Sequence, residues 1–254
     1  MSQNMIFDVK AKRAQRCRTA PRLARLRPVL DDLANRVLDR LDDSAVKFTH
    51  ALDIGGRGAV APMLTARGIS VISADLATPL RADLVIDAEA IPFAEQSFDL
   101  IIAHCALHWV NDLPGTLVQL RRILRPGGLF LASLPLAGTL TELRAALLDA
   151  DIAFTEGAVP HIAPFPDLAD CAALLQRAGF ALPVAERDTI RFEYRNRLGL
   201  LRDLQDAGEA NALIARPRAA PPRLLFAHAL ARLAPPDRVA VVTLQLGVLT
   251  GWAS

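Results

Sequence analysis

Ala51-Leu52-Asp53-Ile54-Gly55-Gly56-Arg57-Gly58 is the stretch of this sequence that decides the fold. An apolar run over residues 48–54 leads through an acid into a glycine turn, and residues 59–66 then have the pattern of a helix. A strand that ends in a glycine turn and continues into a helix brings backbone N–H groups and a helix N-terminus close to a bound ligand. The stretch therefore predicts the first strand and helix of a doubly wound α/β domain.

Asp75 follows the next apolar run, residues 68–74. An acid about 20 residues beyond a glycine turn is positioned to hydrogen-bond a ribose diol. Together the turn and the acid predict a nucleoside-cofactor site. A glycine turn between a strand and a helix can also be no more than a tight connection, and this alternative stays open.

The composition restricts the class of protein. The chain has 254 residues, 52% of them hydrophobic, and a net charge of +2, which fits a folded enzyme and argues against a surface that binds nucleic acid throughout. Cys17, Cys105 and Cys171 lack the spacing of a metal or disulfide framework, so we expect no metal and a reducing compartment. No apolar run reaches the roughly 20 residues of a membrane span, and we expect a soluble, intracellular protein.

Residues 9–28 carry eight basic side chains and no acid. Such a segment can be a solvated helix lying over the domain, or it can bind nucleic acid, anionic lipid or an acidic partner. No aromatic residues are interleaved to stack on bases, so nucleic acid is not expected. A mitochondrial presequence is a further alternative, although Asp8 lies beside the segment.

The remaining pattern alternates strands with helices, which predicts a parallel sheet with right-handed crossovers. We expect one domain, with a basic helical lid at residues 1–45, a cofactor-binding core at 46–135 and a substrate-side half at 136–254. The predicted strands are 48–54, 69–74, 84–87, 98–103, 129–134, one or two within 182–194, and 238–249. The predicted helices are 29–41, 58–67, 112–124, 141–151, 167–178, 198–207 and 222–233.

Candidate catalytic residues follow the strand at 98–103. Ligands of an open α/β sheet bind at the carboxyl ends of its strands, where Ala103, His104, His108 and Trp109 should lie. Two histidines four positions apart on a helix could bind a metal, but no third ligand is visible, and a histidine acting as a general base near neutral pH is the better alternative. His108 and Trp109 could also simply shape the pocket wall.

Five successive motifs are Asp53-Ile54-Gly55, Asp75, Asp87-Ala88-Glu89-Ala90-Ile91-Pro92-Phe93, Ser97-Phe98-Asp99-Leu100 and Leu124-Arg125-Pro126-Gly127-Gly128. They resemble those of class I S-adenosylmethionine-dependent methyltransferases. Four longer runs are more specific and resemble the methyltransferase-fold respiratory complex I assembly factors and their bacterial relatives. These runs are Ala106-Leu107-His108-Trp109-Val110-Asn111-Asp112-Leu113-Pro114, Thr139-Leu140-Thr141-Glu142-Leu143-Arg144, Pro160-His161-Ile162-Ala163-Pro164-Phe165 and Asp203-Leu204-Gln205-Asp206-Ala207-Gly208-Glu209-Ala210-Asn211. The resemblance extends from Ile6 to Trp252.

The resemblance implies a Rossmann-like seven-stranded methyltransferase fold, mostly parallel, in which residues 238–249 form one antiparallel strand. It implies S-adenosylmethionine as the cofactor, held at the ribose by Asp75, at the adenine by Asp87 and Ala88, and at the methionine end by the glycine turn. The acceptor would face His104, His108 and Trp109. The full cofactor set implied is Asp53, Gly55, Gly56, Arg57, Gly58, Asp75, Leu76, Asp87, Ala88 and Ala103.

Arg57 departs from the family's glycine motif, which usually reads D-x-G-x-G-x-G; Arg57 and Ala59 replace its second and third glycines. The guanidinium could pair with the cofactor's carboxylate or block the site.

Three functions remain open. The first is a methyltransferase with an unidentified acceptor. The second is a complex I assembly factor that binds an iron–sulfur subunit, with or without arginine hydroxylation, using residues 9–28 to grip an acidic partner. The third is a nicotinamide-dependent oxidoreductase, against which the 124–128 turn and the closing strand weigh. The resemblance places a bacterial protein in the cytoplasm and a eukaryotic one in the mitochondrial matrix.

Overall fold

The computed structural model describes residues 5–77, 82–155, 157–235 and 237–254. Its centre is a seven-stranded sheet in the order β3-β2-β1-β4-β5-β7-β6. The strands are β1 (His50–Ile54), β2 (Ser70–Asp75), β3 (Leu84–Val85), β4 (Phe98–His104), β5 (Leu124–Pro135), β6 (Ala181–Tyr194) and β7 (Ala240–Trp252). The first five strands are parallel, and β7 runs antiparallel to both of its neighbours, β5 and β6. The predicted fold class and the insertion of the closing strand into the sheet are confirmed.

Eight helices connect or cover the strands in the described part of the chain. They are α1 (Val9–Thr19), α2 (Arg27–Asp42), α3 (Val60–Ala66), α4 (Leu113–Ile123), α5 (Thr141–Phe154), α6 (Leu168–Arg177), α7 (Arg197–Asp206) and α8 (Leu225–Leu233). Asp8 and Asp112 cap α1 and α4 by accepting hydrogen bonds from Ala11 N–H and Gly115 N–H, both at 2.9 Å. Such caps satisfy N–H groups that have no partner within the helix. Among the residues described, no helix combines the length and apolar character that a membrane span requires.

Alternate residues of the central strands face opposite sides of the sheet, and each side is covered by helices. On one side Leu52 and Ile101 pack with the apolar faces of α4 and α6. On the other side Ala51 and Leu100 pack with α2 and α3. Burial on both sides explains why these strands are continuously apolar in sequence.

The predicted boundaries differ from the structure mainly at strand ends. The third strand, expected over 84–87, is reduced to Leu84–Val85, because residues 87–90 form a turn closed by a bridge between Asp87 and Ala90. The segment 182–194, expected as one or two strands, is the single long strand β6, paired with β7 along most of its length. Helices α5, α7 and α8 form a separate apolar cluster over the β6–β7 end of the sheet.

Candidate functional site

Two cavities lie beyond the carboxyl ends of the parallel strands. The smaller one, about 60 Å³, is lined by Gly55 after β1, Asp75 and Leu76 at the end of β2, and residues 86–89 after β3. Helix α1 closes it from above with Val9, Lys12 and Arg16. The larger one, about 610 Å³, lies towards α5, α7 and α8. Trp109 lines both cavities and stands in the wall between them.

Asp75 has the surroundings expected of a ribose-binding acid. Its side chain is buried; Oδ1 accepts a hydrogen bond from Leu76 N–H at 2.7 Å, and Oδ2 has no hydrogen-bond partner among the described residues. The nearest cationic atom is Arg16 Nη1, 4.0 Å from Oδ2, and it also lacks a hydrogen-bond partner there. Because buried polar groups are nearly always satisfied, an unpartnered acceptor and donor facing one cavity fit a polar ligand.

Asp87, Ala88 and Glu89 line the same cavity, as the sequence predicts for Asp87 and Ala88. Asp87 Oδ1 accepts from Glu89 N–H at 3.0 Å, so this acid also stabilises its own turn. Glu89 Oε1 accepts from Asn111 N–H at 2.8 Å, which ties the segment to the loop after β4.

Most of the glycine turn does not line this cavity, so its contact with the cofactor stays a prediction. Five residues expected to touch the cofactor do not line the smaller cavity: Asp53, Gly56, Arg57, Gly58 and Ala103. Ala103 is fully buried within the sheet core.

Asp53 turns inward, where its Oδ2 accepts from Ala61 N–H at 3.2 Å and caps the start of α3. A Cβ on Gly56 would lie 2.3 Å from the Asp53 carboxylate oxygens, so the second glycine makes room for this acid. Gly55, in a left-handed conformation with φ +73°, packs against Ala106, to whose Cβ an added Cβ would come within 2.5 Å. Burial, reinforced by the charge of Asp75, raises the pKa of Asp53 to about 7.

Arg57 neither fills the smaller cavity nor faces solvent. Its Nη1 donates to the Ala207 carbonyl at 3.0 Å and to Glu209 Oε1 at 3.4 Å, and its Nη2 donates to the Cys105 carbonyl at 3.5 Å. The side chain lines the larger cavity. The arginine in the glycine motif therefore forms part of the wall of the larger cavity.

Glu209 is the centre of this wall, although no individual role was predicted for it. Three cations approach its carboxylate: Lys12 Nζ at 3.0 Å, Arg16 Nη2 at 3.3 Å and Arg57 Nη1 at 3.4 Å. Trp109 Nε1–H also donates to Oε2, at 2.5 Å. Burial alone would raise the pKa of Glu209, but the charge of Lys12 and the contact with His108 hold that pKa well below its usual range. Glu209 is therefore an anion that joins α1 to the core.

His108 is bound to the same carboxylate. Its Nε2 lies 3.0 Å from Glu209 Oε2, and its Nδ1 has no partner among the described residues. Burial lowers the pKa of His108 although Glu209 opposes that change, so the ring is neutral near pH 7. Because a carboxylate only accepts hydrogen bonds, the proton is assigned to Nε2, and Nδ1 carries a free lone pair.

His104 and Trp109 are less suited than His108 to accept a proton from a bound ligand, although His104 Nε2 also has no hydrogen-bond partner among the described residues. His104 is fully buried, its Nδ1 lies 2.8 Å from Ser133 Oγ, and it lines neither cavity. Burial, together with the charge of Arg57, lowers the pKa of His104 to about 3. The Trp109 ring packs edge-on against Phe7 and beneath Lys12 Nζ, 3.7 Å from the ring centroid, and its N–H is only a donor. These placements leave His108 as the candidate base.

Lys12, Arg16 and Glu209 are functional candidates that were not identified individually from the sequence. The sequence feature that could have identified them is the opposite charge of two segments. The basic segment 9–28 pairs with the acids of residues 203–209 within the same chain. Besides the Glu209 contacts, Arg25 pairs with Asp203 and Asp206 at 2.7 and 2.8 Å. The expected solvated helix is thus wrong for Lys12 and Arg16, both of which are buried.

The comparisons with known proteins agree with this architecture. A family model described as a methyltransferase domain matches residues 52–132. The chain is 33% identical to the mitochondrial arginine hydroxylase NDUFAF5 of Danio rerio, with 81% of this chain and 68% of that protein covered. It is 36% identical to NDUFAF5 of Homo sapiens, with 81% and 64% covered. It is 35% identical to a malonyl-[acyl-carrier protein] O-methyltransferase of Xylella fastidiosa, with 72% and 65% covered.

Solved structures show the same fold at low sequence identity. The YcgJ protein of Bacillus subtilis superimposes with a TM-score of 0.56 at 14% identity, over 86% of this chain and 98% of that one. Phosphoethanolamine N-methyltransferase 2 of Haemonchus contortus, in complex with phosphomonomethylethanolamine and S-adenosylhomocysteine, gives a TM-score of 0.52 at 17% identity, over 86% and 52%. The chain spans about two thirds of the length of the NDUFAF5 relatives above.

Proposed function

This chain belongs to the family of the arginine hydroxylase NDUFAF5 and itself contains a methyltransferase domain, and from that premise we propose that it is an S-adenosylmethionine-dependent methyltransferase. The observation that carries the proposal is the unpartnered Asp75 Oδ2 at the end of β2, in the cavity beside Gly55 and Asp87. The same family match supports an enzyme rather than a simple binding module.

In this proposal the residues of the smaller cavity hold the cofactor. Asp75 Oδ2 would accept hydrogen bonds from the ribose hydroxyls, and Leu76, Asp87 and Ala88 would surround the adenine. The unpartnered Arg16 Nη1, rather than Arg57, would pair with the methionine carboxylate. When bound, S-adenosylmethionine supplies an electrophilic methyl group.

Helix α1 must move for the cofactor to enter. Sites for ligands of this size have volumes of roughly 300–1,000 Å³, whereas the cavity under α1 measures about 60 Å³. Lys12 and Arg16 form ion pairs with Glu209, and these pairs hold α1 over the cavity. We propose that α1 moves away when the cofactor enters and then packs over the bound cofactor.

His108 would remove a proton from the acceptor, and Glu209 would stabilise the charge that His108 gains. The Nδ1 lone pair of His108 takes a proton from an acceptor O–H or N–H, and the Glu209 carboxylate stabilises the imidazolium that results. A positioned base of this kind contributes about 10²–10⁴ in rate. The chain would also increase the rate by aligning the acceptor with the methyl group.

A second candidate function rests on the family itself, because its vertebrate members are named arginine hydroxylases. Such a protein would bind a respiratory complex I subunit, in the mitochondrial matrix or in the bacterial cytoplasm. A substrate guanidinium would need a carboxylate. Glu209 and Asp203 in the larger cavity already pair with cations of this chain, whereas Glu193, which also lines the cavity, has no ion pair among the described residues. Glu193 is therefore the carboxylate that could receive an arginine without the release of an existing pair.

Calorimetric titration of the wild-type protein with S-adenosylmethionine and with NAD tests the cofactor class. The proposal predicts micromolar binding of S-adenosylmethionine and much weaker binding of NAD. Binding of NAD that is tighter than binding of S-adenosylmethionine would favour a nicotinamide-dependent oxidoreductase. Co-purification of a respiratory subunit without formation of S-adenosylhomocysteine would favour the assembly-factor function.

A further inference from the structure

A second pair of a carboxylate and a histidine lies apart from the contacts of Glu209. Asp151, in the last turn of α5, is buried, and its Oδ1 lies 2.8 Å from His161 Nε2. Its Oδ2 accepts a hydrogen bond from Val159 N–H, also at 2.8 Å. Among the described residues, His161 is the only group within ion-pair distance of Asp151. Burying a carboxylate is costly, and both oxygens of this one are used to hold a single loop and its imidazole ring.

The ring of His161 is fixed from three parts of the chain. Asp151 of α5 binds its Nε2, and Phe226 of α8 packs edge-on against it, with 6.2 Å between the ring centroids. The segment after α7 holds the neighbouring backbone, because Asn211 Nδ2 donates to the Pro160 carbonyl at 2.7 Å. A side chain that is locked in this way before a ligand binds is suited to a functional site.

His161 has one ring nitrogen that a ligand can reach. The residue lines the larger cavity, and 15% of its side-chain area is accessible. Because a carboxylate only accepts hydrogen bonds, Asp151 assigns the proton to Nε2 and leaves a lone pair on Nδ1. This Nδ1 has no hydrogen-bond partner among the described residues, yet the protein does not enclose it as it encloses His108 Nδ1. Nδ1 is therefore the atom of the pair that is open to a ligand.

The pair selects a ligand that carries a proton. A buried carboxylate behind an imidazole fixes the tautomer and stabilises the imidazolium that forms when the outer nitrogen is protonated. Hydroxyl and amine groups can donate a proton to this nitrogen, whereas an ether or an ionised carboxylate cannot. Other walls of the cavity, among them Leu143, Phe192 and Leu200, are apolar and favour an apolar body for the same ligand.

We propose that Asp151 and His161 form a proton-accepting pair for the hydroxyl or amine group of a ligand in the larger cavity. The O–H or N–H bond of the ligand breaks, the proton forms an N–H bond with His161 Nδ1, and the electron pair stays on the ligand's oxygen or nitrogen. Asp151 keeps its hydrogen bond from Nε2 throughout. This inference deepens the proposed function, on which it rests for the ligand's role as methyl acceptor, and it adds a proton acceptor to His108.

Diethyl pyrocarbonate measures the lone pair of each histidine on the wild-type protein, because it acylates accessible, unprotonated ring nitrogens. Peptide mass spectrometry gives the initial rate at each residue. His161 should react at least as fast as His50, which is exposed, and much faster than His104 and His108, whose free nitrogens are enclosed. A rate at His161 as low as those of His104 and His108 would overturn the proposal.

Asp151→Asn separates a proton-accepting pair from a structural contact. The amide oxygen can keep the bond from Val159 N–H, so the NH₂ group donates to His161 Nε2, and the proton of the ring moves to Nδ1. The reaction at His161 should therefore slow by about tenfold or more. If Asp151 only anchored the loop, its replacement would loosen the loop and leave the rate unchanged or higher, which would overturn the proposal.

The control is Asp149→Asn on the same helix, where Asp149 pairs with the exposed Arg232. This variant should leave the rate at His161 unchanged. If Asp151→Asn does not fold, the rates of the wild-type histidines decide the proposal.

Octanol and octyl methyl ether test the ligand class by competition with the reagent. Both have an apolar chain, but only the alcohol has a proton to donate to His161 Nδ1. Octanol should halve the rate at His161 at a concentration about tenfold lower than the ether requires. Equal protection by both would overturn the selection of a proton donor, and protection by neither would overturn the larger cavity as the site.

The outcome is separable from that of the proposed function, because these measurements contain no S-adenosylmethionine. A fast reaction at His161 and protection by octanol, in a protein that fails to bind S-adenosylmethionine, would support the pair and refute the methyltransferase. Binding of S-adenosylmethionine together with a slow reaction at His161 would do the reverse.

Discussion

His108 Nε2 lies 3.0 Å from Glu209 Oε2, although the two residues are 101 positions apart in the chain. The contact joins the loop after β4 to the segment after α7, and Glu209 extends it to Lys12 and Arg16 of α1. One carboxylate thus orients the candidate base and holds α1 over the smaller cavity. The proposed chemistry and the closing of the site depend on the same residue.

Replacing His108 by Gln should lower kcat for methyl transfer by about 10²–10⁴, because the variant lacks a proton acceptor at Nδ1. The KM for S-adenosylmethionine should change little, because His108 does not line the smaller cavity. The ordinary histidine pKa is 6.5, and burial lowers that of His108, so wild-type activity should persist below that pH and fall only as His108 protonates. A His108→Gln variant with the wild-type rate and pH profile would show that no base acts there.

Replacing Glu209 by Gln should destabilise the protein by about 3 kcal/mol, because it leaves the cations of Lys12, Arg16 and Arg57 without their shared anion. Urea unfolding measures the loss, and trypsin cleavage within α1 should become faster than in wild type. The exposed Glu95→Gln is the control and should change neither quantity. Wild-type stability and cleavage in Glu209→Gln would mean that the ion pairs do not secure α1.

Asp53 predicts a specific pH dependence of stability. Its pKa rises from 3.8 in the unfolded chain to about 7 in the folded protein, so the folded state binds this proton more tightly. The stabilisation from this proton is complete below pH 3.8, decreases as the pH rises from 3.8 to about 7, and is lost above about pH 7. Asp53→Asn removes the titration, so its stability relative to wild type should increase by a few kcal/mol between about pH 4 and pH 8. A constant difference between the two proteins in urea unfolding would show that Asp53 is not perturbed.

Gly56→Ala should destabilise the fold by about 1–3 kcal/mol, the usual cost of overpacking. The new Cβ would lie 2.3 Å from the Asp53 carboxylate, which is itself buried and bonded to the start of α3. Gly157→Ala is the matched control, because no atom lies within 4 Å of its added Cβ. Equal unfolding midpoints for the two variants would contradict the close approach of Gly56 to Asp53.

Arg16→Met should weaken S-adenosylmethionine binding on the order of tenfold or more, through loss of one charged hydrogen bond. Arg13→Met on the same helix is the control, because Arg13 is exposed. Calorimetry on both variants checks the prediction. Equal affinities of the two variants for S-adenosylmethionine would contradict the role of Arg16. The methionine carboxylate would then be assigned to Arg57 or to the backbone of the glycine turn.

The fold was predictable because its signals are local. The apolar strands, the glycine turn and Asp75 follow one another within about 30 residues, a span typical of one βαβ unit. The placement of β7 also followed from its apolar character together with the family resemblance. The residues of the β1 and β4 ends meet as expected, since parallel strands bring their carboxyl ends to one edge.

The site was less predictable because its central contacts are distant in sequence. Glu209 lies 197 positions from Lys12 and 193 from Arg16, and no local periodicity predicts a pairing over such distances. Arg57 was identified as a departure from the glycine motif, but its φ of +49° and its contact with Ala207 are properties of the folded turn. The position of His104 and His108 after the strand at 98–103 singled out both histidines, and only their surroundings separate a core histidine from a candidate base.

Calorimetric titration of S-adenosylmethionine into wild type, Asp75→Ala and the exposed control Asp43→Ala tests the central claim most directly. The claim is that this chain binds the cofactor through Asp75 at the end of β2. We predict micromolar binding to wild type and Asp43→Ala, and a loss of at least about tenfold in Asp75→Ala, which lacks the acceptor for the ribose hydroxyls. Absence of binding to wild type, or equal binding to all three proteins, would contradict the claim.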